Sequence, residues 1–331
     1  MKTSLQDALR QRRLVSDGAM GTQLQAAGLE PGACGEAWNL THPERVLAIQ
    51  RRYVEAGADC LTTNTFGGCR IMLERHGHGD DVEAINRAGA RIAREAFGDR
   101  PGFVLGDIGP FGGVMAPYGE VEPDVVRQAF AEQARALVSG GVDAVIVETQ
   151  TSLDELGLGI DAAREAPAPC IIASLAFDVS PDGELIRTMM GVAPEQAATF
   201  AKERGADIVG LNCGTGIDMA RAREVVDLYR SACDLLTMVQ PNAGLPVLEN
   251  LKAVYKQTPE EMAEGVVALL EAGTGIVGGC CGSTPEHIQA LRSAVDRFEE
   301  PPGTPSPRGT RVPGQDGRPK AGSVPGKAGL P

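Results

Sequence analysis

Eight times along this chain a short apolar run is followed by an amphipathic stretch, and that rhythm leaves few folds open. The apolar runs lie at 14–17, 60–64, 103–107, 144–148, 170–176, 208–213, 235–240 and 275–279. Their length and continuity suit strands buried on both faces. Helical spacing of apolar residues follows each, near 44–56, 82–97, 123–139, 153–166, 194–204, 218–231, 259–272 and 285–298. Four of these stretches open on Pro-Glu: Pro43-Glu44, Pro194-Glu195, Pro259-Glu260 and Pro285-Glu286. That pair suits a first helical turn, where proline has no needed N–H to lose and an acid meets the positive end of the helix dipole. Gly57, Gly140-Gly141, Gly205 and Gly273 then stand just past a helix and just before a strand. Eight strand–helix units imply an α/β protein, a single (β/α)8 TIM barrel over residues 1–298. A doubly wound sheet is the competing arrangement, but it would usually need fewer units.

Residues 299–331 break the pattern. They hold 8 of the 22 prolines and 7 glycines, with almost no large apolar side chain. Such a segment cannot bury enough surface to offset its ordering entropy, so a disordered Pro/Gly-rich tail is expected. Charge is divided the same way. Of a net −13, residues 301–331 carry +4 and the first 300 residues carry −17. An acidic body argues against nucleic acid or an anionic membrane as partner. No run of about 18 apolar residues is present, so no transmembrane helix is expected. The N-terminal segment is too polar for a secretory signal. Eight cysteines in 331 residues are too sparse for a disulfide scaffold. Free thiols in the reducing cytoplasm are the expectation.

In a barrel of this kind chemistry sits at the C-terminal ends of strands. Cys213, in Gly-Leu-Asn-Cys-Gly, ends the sixth run. Cys280 and Cys281, in Gly-Gly-Cys-Cys-Gly, end the eighth. Those strands lie on one side of a closed barrel, so the three thiols can converge. Three thiolates can hold a zinc ion and leave its fourth position open for a substrate thiol. The plain alternative is that they are small buried hydrophobes. That alternative suits the other five: Cys60 and Cys170 open strands, Cys34 is in a loop, and Cys69 and Cys233 lie on or near helices.

Asp17 ends the first run and Glu148 the fourth, where a carboxylate can take a substrate ammonium group; capping a loop or helix is the competing role. Asn242, in Gln-Pro-Asn-Ala-Gly, offers an amide at the rim, although Asn beside Gly commonly serves a turn. Gly67-Gly68 and residues 106–113 allow close backbone approach to a ligand, or simply form tight rim loops. They lack the spacing of phosphate-binding loops. His76 and His78 read as solvated surface and His287 as structural. Lys202, Lys252 and Lys256 do not end strands, which speaks against a lysine-dependent aldolase.

Several segments together resemble the homocysteine S-methyltransferase family, and within it most the homocysteine-binding module of cobalamin-dependent methionine synthase. They are Asp17-Gly-Ala-Met-Gly-Thr22, Thr63-Asn-Thr-Phe66, Gly106-Asp-Ile-Gly-Pro110, Glu148-Thr149, Gly210-Leu-Asn-Cys-Gly214, Gln240-Pro-Asn-Ala-Gly244 and the run from Gly278 to Ile288. The resemblance implies a (β/α)8 barrel and a methyltransferase that makes methionine from homocysteine. It implies zinc on Cys213, Cys280 and Cys281, with the homocysteine thiolate on that zinc. It also implies Asp17 and Glu148 on the amino-acid end, with Asn242 as a displaceable ligand. Only the tail follows the barrel here, so the methyl group is expected from a separate corrinoid protein or from a small molecule such as S-methylmethionine. The alternative is a non-catalytic thiol-binding or docking subunit of a corrinoid methyltransferase complex.

Overall fold

A computed structural model describes residues 3–249 and 252–299. Its strands follow the apolar runs: β1 (Leu14–Val15), β2 (Cys60–Thr62), β3 (Phe103–Ile108), β4 (Ala144–Gln150), β5 (Ile171–Leu175), β6 (Ile208–Asn212), β7 (Leu236–Gln240) and β8 (Ile276–Val277). Between them run α1 (Pro43–Glu55), α2 (Val82–Phe97), α3 (Pro123–Ser139), α4 (Leu153–Glu165), α5 (Pro194–Arg204), α6 (Met219–Ala232), α7 (Pro259–Glu271) and α8 (Pro285–Arg297). The strands form one parallel sheet in the order β1-β8-β7-β6-β5-β4-β3-β2. A parallel bridge from Ser16 to Cys60 joins its two ends, giving the expected (β/α)8 barrel. Of the expected tail, only Glu299 lies within the described residues.

Strand alternation divides the core in two. The outward residues of the strands pack with the helices in one large cluster. The inward ones, among them Leu14, Cys60, Phe103, Leu105, Ile146, Ile172, Ile208, Met238 and Ile276, fill the barrel's lower interior. A short helix, Leu5–Leu9, closes that end with Leu5 and Leu9; Ser4 caps it by accepting from the Asp7 amide at 3.1 Å. Cys60 and Cys170 belong to this interior, as small buried hydrophobes.

The helix-to-strand corners show what their recurring sequence does. Gly57, Gly141, Gly205 and Gly273 all have φ between 87° and 99°, a left-handed turn that a side chain would strain. Two residues after the first three of them comes an aspartate. Asp59 accepts the amide of Val15 at 2.9 Å, Asp143 that of Val104 at 2.8 Å and Asp207 that of Ile171 at 2.8 Å. Each thus satisfies the amide at the start of the preceding strand in the chain.

Beyond the eight units lie features the periodicity does not predict. Short helices cover Gly21–Ala26, Trp38–Thr41 and Arg70–Glu74. Asp178–Val179 pairs antiparallel with Ile186–Arg187, and Pro246–Glu249 with Lys252–Tyr255. The second ribbon stands between β7 and α7, beside the site described next. Among the described residues no helix is long and apolar enough to cross a membrane.

Candidate metal centre and substrate site

Followed toward the C-terminal ends of the strands, the inward face turns from apolar to polar. Ser16, Thr62, Asp107, Glu148, Ser174, Asn212 and Gln240 continue the alternation that placed Leu14, Cys60, Leu105, Ile146, Ile172, Gly210 and Met238 inside. Cys213 follows Asn212 directly, and Cys280 and Cys281 follow β8. The sulfurs of these three cysteines lie within 4.8 Å of one another, with Cys213 and Cys281 at 3.9 Å. Among the described residues no other group of His, Cys, Asp or Glu is arranged to hold a metal.

The end of β7, between β6 and β8, locks the thiols in place. The Cys213 amide donates to Gln240 O at 3.2 Å and the Cys280 amide to Pro241 O at 2.8 Å; Cys281 O accepts from the Ala243 amide at 3.0 Å. Ser283 Oγ donates to Cys280 O at 2.7 Å and accepts the Ala19 amide at 3.1 Å, tying the β1 loop to the thiol loop. Cys213 itself sits at φ 56°, in the left-handed region where a residue with a side chain is uncommon.

The Cys280 and Cys281 thiols donate to Cys213 and hold it well below the usual cysteine range; the same contact with Cys213 pushes both partners up. The trio's dimensions suit zinc: tetrahedral bonds of about 2.3 Å separate sulfurs by ~3.8 Å. Thiolates are also the soft donors zinc prefers. Asn242, 7% exposed, donates to Gly214 O at 3.2 Å and to Cys213, while its Oδ1 has no partner.

Tyr255 belongs to none of the motifs. Its phenol is hydrogen-bonded to the Cys281 sulfur, and burial followed by the negative charge of Cys281 raises its pKa. The ring lies on Gly282, where a Cβ would come 2.1 Å from a ring carbon, and the glycine's φ of 77° adds a second reason for having no side chain. His287 is structural as expected. Its Nδ1 accepts the Thr284 amide at 3.2 Å, and its Nε2 donates to Gln257 O at 2.9 Å, anchoring the chain just after Tyr255.

Three carboxyl groups share the barrel mouth. Asp17, 2% exposed, accepts from the Thr62 amide at 2.7 Å, Thr62 Oγ1 at 3.0 Å and Ser16 Oγ at 3.1 Å. It thus joins β1 to β2 at the seam of the barrel, and burial nevertheless raises its pKa to about 7. Glu148 is partly exposed in the mouth; burial, then the charges of Asp17 and Cys213, raise it to about 8. Asp107, absent from the sequence-derived site, faces Glu148 at 3% exposure and is pushed well up by burial and by that neighbour. One signal points to it: Asp107 ends an apolar run just as Glu148 does.

Asn212, within the Gly-Leu-Asn-Cys-Gly motif, is a second residue to which the sequence assigns no role. Its Oδ1 accepts from the Thr149 amide at 3.0 Å and Ser174 Oγ at 2.7 Å, and its Nδ2 donates to Thr149 Oγ1 at 2.7 Å. Nδ2 also lies 4.0 Å from the Cys280 sulfur. Thr149 has φ 57°, a strained value for a β-branched residue. One buried amide thus holds the peptide that presents Glu148 and abuts the thiol cluster.

The glycine-rich segments prove to be tight rim loops. A Cβ on Gly68 would meet Asn86 and Thr65, and one on Gly109 the Phe66 ring, so these glycines admit protein atoms. His76 is exposed, and His78 pairs with Asp81 at 3.0 Å.

Comparison with known proteins identifies what the chain is similar to. The family model for homocysteine S-methyltransferase matches residues 14–295. Methionine synthase of Mycobacterium tuberculosis (strain ATCC 25618 / H37Rv) is 37% identical over 316 residues, 90% of this chain and 26% of that protein. The Mycobacterium leprae (strain TN) methionine synthase is 37% identical over 326 residues, 93% and 26%. The chain therefore spans about a quarter of the length of these curated relatives. In fold it is similar to the metallated form of the homocysteine methyltransferase MmuM from Escherichia coli, with TM-score 0.70 at 20% identity over 85% of this chain and 96% of that one. Matched over most of its length by the family model, and by relatives well above 30% identity, the chain belongs to the homocysteine S-methyltransferase family.

Proposed function

We propose that this chain transfers a methyl group to the thiol of homocysteine, giving methionine, at a zinc held by Cys213, Cys280 and Cys281. The observation that carries the reading is the convergence of three thiols from two strand ends to within 4.8 Å. Zinc bound there would keep a fourth sulfur, that of the substrate, as thiolate at neutral pH, where a free thiol with pKa near 8.5 is mostly protonated. Asp17 and Glu148 bind the ammonium end and so direct the sulfur toward the cysteines. Asn242, with an unpartnered oxygen beside Cys213, contributes an acceptor on the substrate's side of the cluster. The substrate sulfur attacks the methyl carbon in line, and the donor's leaving group departs with the bonding electron pair. No protein base acts on carbon. All eight cysteines are free, which suits a reducing compartment such as the cytoplasm.

The methyl donor is either a separate corrinoid protein or a small molecule such as S-methylmethionine. The zinc-loaded chain is incubated with homocysteine and each donor in turn, and methionine is measured. Methionine formation with one of them is expected. Homocysteine binding without turnover on any donor would refute catalysis and favour a thiol-binding subunit of a corrinoid complex.

A further inference from the structure

A methyl donor that reaches a substrate sulfur at this cluster also reaches three sulfurs of the protein, which lie within 4.8 Å of one another. Any of them could take the methyl group in its place. Each has a hydrogen-bond donor turned toward it. Asn242 Nδ2 donates to Gly214 O at 3.2 Å and has a second N–H for Cys213. Asn212 Nδ2 donates to Thr149 Oγ1 at 2.7 Å and lies 4.0 Å from the Cys280 sulfur. Tyr255 brings its one hydroxyl to Cys281. That hydroxyl is held in place from both sides. Tyr255 pairs with Pro246 across its ribbon, and two residues on the Gln257 amide donates to Ala243 O at 3.2 Å. The Ala243 amide in turn donates to Cys281 O at 3.0 Å. A hydrogen bond to a thiolate draws off electron density, and nucleophilicity falls with basicity.

We propose that Tyr255 is a positioning residue for the choice of nucleophile: its hydroxyl, donating to Cys281, makes that sulfur the poorer nucleophile, so the methyl group goes to the substrate and the site does not consume itself. This rests on the reading of the site given above. In the reaction avoided, a bond forms between the Cys281 sulfur and the methyl carbon. The bond from that carbon to the leaving group breaks, the leaving group keeps the electron pair, and Cys281 becomes a neutral thioether.

The test treats the zinc-loaded chain, without homocysteine, with methyl iodide and follows methylation of each cysteine by peptide mass spectrometry. Tyr255→Phe removes the hydroxyl and keeps the ring on Gly282. A hydrogen bond to a charged group is worth roughly 1–2 pKa units of thiol basicity, and nucleophilicity follows at about half that slope. Methylation of Cys281 in the variant should therefore be about 3- to 10-fold faster than in the parent. Cys34, partly exposed and outside the cluster, should react at the parental rate. Replacing the four tyrosines by 3-fluorotyrosine, a stronger donor, should slow Cys281, and this protein decides if Tyr255→Phe does not retain zinc. An unchanged Cys281 rate, or an equal rise at Cys213, Cys280 and Cys281, overturns the proposal. A chain that makes methionine and gives either of those results refutes this proposal alone; a parent chain that holds no zinc refutes the site reading with it.

Discussion

Replacing Asn212 by alanine tests how much of the site depends on one buried amide. The side chain is 1% exposed and makes three hydrogen bonds, from the Thr149 amide, from Ser174 Oγ and to Thr149 Oγ1. At about 1 kcal/mol each, their loss costs roughly 3 kcal/mol, and up to ~5 kcal/mol if the Thr149 amide stays buried without an acceptor. Part of that loss is returned if Thr149 leaves its left-handed conformation, which stores about 1–3 kcal/mol. That relaxation moves the peptide next to Glu148, so substrate binding should suffer with stability. Urea unfolding of Asn212→Ala and of Ser174→Ala compares loss of the whole clamp with loss of one donor, expected at about 1 kcal/mol. Homocysteine titration of each folded variant reads the site. If Asn212→Ala costs no more than Ser174→Ala and binds homocysteine normally, the clamp does not hold Glu148 and the reasoning is wrong.

Single Cys213→Ala, Cys280→Ala and Cys281→Ala variants should each lose most bound zinc, measured by elemental analysis after dialysis; full retention in all three would remove the metal assignment. Asp17 has a folded pKa of about 7 against an ordinary value of 3.8, so its contribution is fully present below pH ~4 and is lost as pH rises through 7. Asp17→Asn should accordingly flatten the fall in melting temperature between about pH 5 and 8; a slope equal to the parent's would show that Asp17 is ionised throughout. Gly282→Ala must push the Tyr255 ring away from Cys281, whereas Tyr255→Phe removes only the hydroxyl. In cobalt-substituted protein both should shift the sulfur-to-metal charge-transfer band, the alanine variant also losing metal affinity; unchanged spectra in both would mean that Tyr255 does not reach the ligand sulfur.

Much of this protein is written in local sequence. The Pro-Glu helix starts and the glycines after helices act within a turn or two of chain, so the eight units can be counted from the sequence alone. The positions of Cys213, Cys280 and Cys281 at strand ends follow from the same count, because parallel strands in a closed barrel must all expose their C-terminal ends on one face. The recurring aspartates after the glycines are visible too. Their partners Val15, Val104 and Ile171 are not, since each lies about 36 to 44 residues away in the chain and on another strand.

What only the tertiary structure decided is which polar residues face one another. Asp107 and Glu148 read alike in sequence, each ending an apolar run, but their mutual approach depends on the β3–β4 register, in which Asp107 pairs with Ile146. Asn212 is in sequence merely the neighbour of Cys213; strand alternation turns it inward to Thr149 and Ser174. Tyr255 lies in a ribbon whose antiparallel pairing breaks the eightfold rhythm, so periodicity has nothing to say about it. Sequence pattern reports the burial of a residue relative to its own strand or helix. The electrostatics of this site arise between strands, and those separations exist only once the barrel has closed.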